Sequence, residues 1–140
     1  MTAAADPLRA LRDLLAAEPG VWLLGTRAAD GMRTRPVRVF ADEGDADLVV
    51  LTGARSRKAA ELELWPEFTL AGPVAGGWLA AEGSARVVRD AAPVAAWVAR
   101  HAPGVHAGEV CALVLAPARA RRWSVSSGSP FDNTVATLLP

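Results

Sequence analysis

The residues best suited to chemistry sit in one short run, Thr52-Gly53-Ala54-Arg55-Ser56-Arg57-Lys58. Lys58 is the only lysine in the chain, against fourteen arginines. The run follows a strand-like stretch, Asp47 to Leu51, and leads into a helix-like one, Ala59 to Leu64. Ser56 suits the N-cap, where its hydroxyl accepts from an exposed backbone N–H. Arg57 and Lys58 then fall in the first turn, where the helix macrodipole places partial positive charge and disfavours cations. Cations gathered over free N–H donors suit a bound anion, phosphate first among them. The same side chains also read as solvated surface charges, since a first-turn cation costs only about 0.3–1 kcal/mol at an exposed site. On local physics alone both readings stand.

A second basic pair lies upstream. Arg33 and Arg35 are two apart on a strand and share a face. Arginine makes bidentate contacts to phosphate or carboxylate. Taken alone, the pair reads more readily as a solvent-facing edge. If its strand pairs with the one ending at Thr52, Arg35 approaches the Thr52–Lys58 loop and two anion signals converge. Of the five tryptophans, Trp22, Trp65, Trp78, Trp97 and Trp123, most read as core or interface. Trp123, in an arginine-rich strand, is the one suited to stacking on a ligand.

Other chemistries find little support. His101 and His106 flank a Pro-Gly break and form no helical zinc pair. There is no Gly-x-Ser-x-Gly elbow. Gly53 to Lys58 lacks the spacing of a phosphate loop. The acidic turn Asp42-Glu43-Asp45-Asp47 reads as solvated rather than metal-binding. Cys111 is the single cysteine, inside the apolar run Val110 to Leu115, and reads as a buried, inert thiol. No metal site is expected, and no catalytic acid or base can be named.

These residues need a scaffold. The chain has 140 residues, 51% of them hydrophobic, which suits one domain with a real core and excludes disorder. Acids and bases balance at 15 each, so no basic field recruits nucleic acid. The start has no basic n-region and no long apolar stretch, so no signal peptide, no membrane span and a cytoplasmic location are expected.

Asp6, Pro7 and the stripe Leu8, Leu11, Leu14, Leu15 predict a first helix, stopped by Pro19-Gly20. Strands are expected at Val21 to Thr26, Met32 to Phe40, Leu48 to Thr52 and Glu67 to Ala71, with turns at Ala29-Gly31, Asp42-Asp47 and Pro73-Gly77. A short helix runs from Ser56 to about Trp65-Pro66. In the fifth strand Leu79, Ala81, Gly83, Ala85 and Val87 share one face, and small residues there suit a tightly curved sheet. Asp90 caps a third helix carrying Val94, Trp97 and Val98. Strands at Val110 to Leu115 and Arg119 to Val125 complete the set. Ser126 to Pro130 reads as a turn-rich stretch, and Val135 to Pro140 is apolar enough to dock. The fold class expected is mainly β, an antiparallel β-barrel with peripheral helices. One domain spans residues 1–126, with a tail over 127–140.

Two stretches then carry a family likeness. Leu51-Thr52-Gly53-Ala54-Arg55-Ser56-Arg57-Lys58-Ala59-Ala60-Glu61, with Trp65-Pro66-Glu67-Phe68-Thr69-Leu70 after it, resembles the pyridoxamine 5′-phosphate oxidase-like flavin-binding split barrels. Arg33-Thr34-Arg35-Pro36-Val37 resembles that family's Arg-Pro strand, and Gly83 to Asp90 its Gly-x-Ala-x-Val-x-x-Asp segment. Arg122-Trp123 resembles its closing aromatic-Trp pair, and the general-stress-protein branch is the nearest in pattern.

The resemblance implies a split β-barrel of Greek-key type and a homodimer with FMN at the subunit interface. By position, Ser56, Arg57, Lys58 and Arg35 would hold the FMN phosphate, and Thr52 the phosphate or ribityl. Backbone near Val37 would face the isoalloxazine, and Trp123 would approach from the partner. Ser129-Pro130-Phe131 stands where true pyridoxamine phosphate oxidases carry Arg-x-His, and Phe40 where they carry lysine, so vitamin B6 oxidation is not implied. The expected function is that of an FMN-dependent oxidoreductase of unknown substrate. The alternatives are a deazaflavin-dependent reductase using a broader groove with Arg33, Arg38 and Arg55, a non-catalytic flavin-binding stress protein, or a cofactor-free binding module.

Overall fold

The computed structural model describes residues 7–17, 21–42, 48–125 and 133–139. Asp6, the acidic turn beyond Asp42 and the stretch Ser126 to Pro130 lie outside them. Helix α1 (Pro7–Ala17) opens the chain, with proline at its first position as expected. Strands β1 (Val21–Ala28) and β2 (Gly31–Arg38) form a hairpin. Then come β3 (Leu48–Gly53), α2 (Arg57–Leu64), β4 (Glu67–Val74), β5 (Gly77–Val88), α3 (Ala91–His101), β6 (Val110–Val125) and β7 (Asn133–Leu139).

All pairings are antiparallel, in the order β2-β1-β4-β5-β6-β3, with β7 also on β6. A bridge between Phe40 and Val49 brings the outer strands β2 and β3 together and rolls the sheet into a barrel. This is the split β-barrel expected from the sequence.

Three expectations change. The two strands predicted at Val110 to Leu115 and Arg119 to Val125 are one, β6, which runs on through Pro117. One edge of β6 pairs with β5 along its length, while the other pairs with β3 over Val110–Leu115 and with β7 over Ala120–Val125. Proline lacks a ladder donor, so the split falls where an edge is already broken. Across from it the register of β5 slips between Glu82 and Gly83. Gly83 is required there, because a Cβ would stand 2.0 Å from the Ala116 carbonyl oxygen. Second, β4 continues through Pro73, and the turn is confined to Ala75-Gly76. Third, β2 pairs with β1 and has no ladder with β3.

The interior is filled by Trp22, Leu24, Leu48, Val50, Phe68, Leu70, Leu79, Leu113 and Leu115. Leu11 and Leu15 of α1 and Ala59 and Leu62 of α2 cap its ends. On the outer face of β3 and β6, Val49, Ala112 and Val114 receive Val94, Trp97 and Val98 of α3. The segment from Val135, expected to dock, pairs with β6 as part of β7. Asp90 sits at the N-cap of α3, but its side chain makes no capping bond.

Asp42 corrects the reading of a solvated acidic turn. It is 5% exposed. Its carboxylate accepts from Trp97 Nε1 at 2.9 Å and pairs with Arg100 at 2.9 Å and His101 at 3.3 Å. It therefore ties the end of the β2 segment to the last turn of α3. Burial alone would raise its pKa, but the bonds from Trp97 and His101 and the charges of Arg100 and His101 outweigh it and hold the group below its ordinary 3.8. Its stabilisation is thus fully present above that value and is lost as pH falls through the lower folded-state value. Asp42→Ala should cost about 3 kcal/mol, because it leaves a buried indole N–H and a guanidinium without their acceptor. Urea unfolding across an acidic pH series checks both points: the variant should unfold earlier and lose this acid-dependent component.

Candidate functional site

The site is built at the N-terminus of α2. Ser56 adopts an extended backbone, and its Oγ accepts from Ala59 N at 3.3 Å, the cap read from the sequence. The first turn holds no acid, only Arg57 and Lys58. Their backbone amides have no acceptor among the described residues, as expected for a helix start. The loop before the cap is fastened twice. Ala54 N donates to the Glu109 carbonyl at 3.0 Å, and Arg89 donates to the Ala54 carbonyl at 2.7 Å. Arg89 also grips Glu63 of α2 at 2.6 Å, so β5, the loop and the helix are held as one unit.

Lys58 is half-buried and has no hydrogen bond or ion pair among the described residues. Burial, and then the charge of Arg35, lower its pKa from the ordinary 10.5. Cys111 also lies within its electrostatic reach, and Cys111 is the register partner of Thr52. Thr52 is buried at the end of β3. Arg35, Thr52, Lys58 and the Ser56 cap therefore meet at one mouth of the barrel. The route differs from the one expected: Arg35 arrives across the barrel end toward α2, not through a β2–β3 ladder. Burial raises the Cys111 pKa, in keeping with an inert thiol.

Glu61 is the residue that sequence reading misses. It is 9% exposed and pairs with Arg35 at 2.9 Å and Arg33 at 3.5 Å. Arg35 also donates to the Thr26 hydroxyl, and Arg33 reaches Asp30 at 3.4 Å. The available signal is helical spacing: Glu61 lies between Ala59 and Leu62, both buried, and one turn beyond Lys58. Arg33 and Arg35 are thus partly neutralised, whereas Lys58, like the exposed Arg57, has no carboxylate partner among the described residues.

The remaining candidates scatter. Arg57 is exposed, and the Val37 side chain is in the core. Arg55 lines a shallow cavity of about 490 Å³ that Glu109 shares. Arg38 lies on the opposite face of β2 from Arg33, so the two do not form one basic groove. Trp123 is remote from the cradle within the chain. It pairs in register with Trp78 on the outer sheet face and lines a groove of about 390 Å³ there with Thr69, Ala71, Ala80 and Arg121. That face is apolar across four strands: Val21 (58% exposed), Leu23 (47%) and Trp78 (52%) continue into Ala71, Pro73, Ala80 and Trp123. Among the described residues no group of acids, histidines and cysteine is placed to hold a metal, and no helix is long and apolar enough to cross a membrane.

The charge balance at the cradle makes a direct prediction. The Lys58 pKa is depressed, so its charge destabilises the folded chain at neutral pH, and that penalty is relieved as pH rises toward 10.5. Lys58→Met should raise the urea midpoint of the ligand-free chain. Glu61→Gln should lower the midpoint, with a loss of stability of about 1–3 kcal/mol, because the guanidiniums of Arg33 and Arg35 lose their counter-charge. Shifts of the same sign in the two variants would contradict this account.

No protein-family model matches the sequence, and no curated protein matches it. Solved structures do share its fold. A NimC/NimA family protein from Clostridium acetobutylicum superposes with a TM-score of 0.69 at 19% identity, covering 93% of this chain and 92% of that one. PhzG from Burkholderia lata, in complex with tetrahydrophenazine-1-carboxylic acid, gives 0.70 at 18%, covering 98% and 94%. A pyridoxamine 5′-phosphate oxidase-related, FMN-binding protein from Nostoc punctiforme gives 0.65 at 15%, covering 99% and 100%. General stress protein 26 relatives and a heme-binding protein are also among the similar structures.

Proposed function

We propose that this chain binds FMN through its phosphate at the α2 cradle, and that it is a flavin-dependent oxidoreductase rather than a pyridoxamine phosphate oxidase. One observation carries the reading: Lys58 is a half-buried cation, lowered in pKa by burial and by Arg35, with no carboxylate partner among the described residues. A protein gains by placing an anion beside such a group. Two free first-turn amides and the Ser56 cap add donors of the kind a phosphate monoester takes. The donor set therefore fits the group. Lys58, Ser56 and Arg57 would hold the phosphate, with Arg35 and Thr52 beside it and the Val37 backbone toward the ring. Bound flavin supplies reversible acceptance of hydride or electrons, and the protein supplies position and electrostatics.

The uncovered apolar strip from Val21 to Trp123 supports the homodimer. An exposed patch spanning four strands is unusual on a monomer and fits a second copy. Trp123 sits on that strip, where a partner's site would meet it. Deazaflavin gains less support, because Arg33 and Arg38 lie on opposite faces of β2 and Arg33 is engaged with Glu61.

The purified chain should be yellow, or should quench the fluorescence of added FMN. Lys58→Ala should weaken FMN at least about tenfold while changing riboflavin little, since about 1.4 kcal/mol of phosphate contact is tenfold in affinity. Equal losses for both ligands would contradict the cradle, and a colourless chain that ignores FMN would end the proposal. Solution scattering should give twice the chain mass, falling to the monomer in Trp78→Glu.

A further inference from the structure

A second cavity, of about 560 Å³, lies beside the Asp42 cluster. Its walls include Arg38, Phe40, Leu51, His101, Val105 and Val110. That volume is in the range of small-ligand sites, which combine apolar walls with a few fixed polar groups. Both kinds of wall are here. Arg38 is exposed and has no ion-pair partner among the described residues.

His101 is held more firmly than a surface histidine needs to be. Its Nε2 lies 3.3 Å from Asp42 Oδ1, and its ring stacks on Phe40 with centroids 4.5 Å apart and planes 17° apart. Asp42 is itself locked by Trp97 and Arg100. The carboxylate is ionised at neutral pH, so the imidazole nitrogen facing it is the one that carries the proton. In the neutral ring this leaves Nδ1 as the acceptor. Among the described residues it has no partner. A carboxylate orienting one nitrogen while the other stays free is how proteins aim an imidazole at a ligand.

We propose that this cavity binds a small organic acid with an aromatic body and a hydrogen-bond donor, Arg38 pairing with its carboxylate and His101 Nδ1 accepting from its donor. Leu51, Val105, Val110 and the Phe40 ring supply the apolar contact. The inference goes beyond the flavin reading and does not require it, since none of the cations of the cradle takes part.

The test is a titration of the full chain with 4-hydroxybenzoate, followed through the imidazole nitrogens by NMR. The chain has only two histidines, so His106→Gln assigns the signals. The acid should shift the Nδ1 resonance of His101 and leave His106 unmoved. Arg38→Gln, a change at an exposed side chain, should weaken binding about tenfold or more. Benzoate, which lacks the hydroxyl donor, should bind more weakly and leave Nδ1 in place. Absence of binding, binding that leaves His101 unshifted, an unchanged affinity in Arg38→Gln, or an equal Nδ1 shift from benzoate would each overturn the proposal.

Discussion

A single carboxylate, Glu61, lets a helix close the mouth of this barrel. Helix α2 buries Ala59 and Leu62, and that packing takes Glu61 out of water with them. An unpaired carboxylate there would be costly, and Arg35 and Arg33 reach it from β2. The pairing also draws Arg35 inward, to the Thr26 hydroxyl of β1. Position of the helix, register of the hairpin and charge of the mouth are thereby coupled. Lys58 is the remainder of that balance, and the proposed phosphate site is where the remainder shows.

What could be read from the sequence was mainly local. Ser56 as a cap, proline at the start of α1 and the inward set of β5 depend on neighbours within a turn or a strand. The likeness of Thr52 to Pro66 to a known pattern adds the barrel itself. What could not be read depends on distant partners. Asp42 looks like one of four acids in a turn, yet its burial is decided by Trp97 and His101, 55 and 59 residues away. Glu61 looks like any helical acid until β2 is placed across the barrel end. The division of β6 between two partners is hidden because Pro117 reads as a strand end, when it lies inside one strand.

The two polar clusters follow opposite designs. At the mouth, cations outnumber Glu61, and the half-buried Lys58 has no carboxylate partner among the described residues. Beside α3, Asp42 gathers three donors, and the opening lies instead at the far nitrogen of His101. Both adjoin the end of β3, where Thr52 and Gly53 connect the loop of the cradle with the wall of the second cavity. A strand end between the two proposed binding surfaces is a suitable place for polar groups that must keep their geometry, since scaffold elements hold side chains more precisely than loops do.

The shared edge of β6 also constrains how the chain folds. Among the described residues β3 and β7 find their ladders only on β6, and β5 pairs with it from Ala112 to Ser124. Until residues 110–125 leave the ribosome, β3 lacks its ladder partner and the β2-β1-β4-β5 sheet has an open edge at β5. Closure is therefore a late, non-local event. Topologies of this kind fold slowly, and they expose pairing edges while they wait. In this chain the exposed strand would be β5, whose inward face is built of alanine and glycine over Ala81–Ala85. Small side chains of that sort give a nascent edge little apolar surface with which to capture a neighbouring chain.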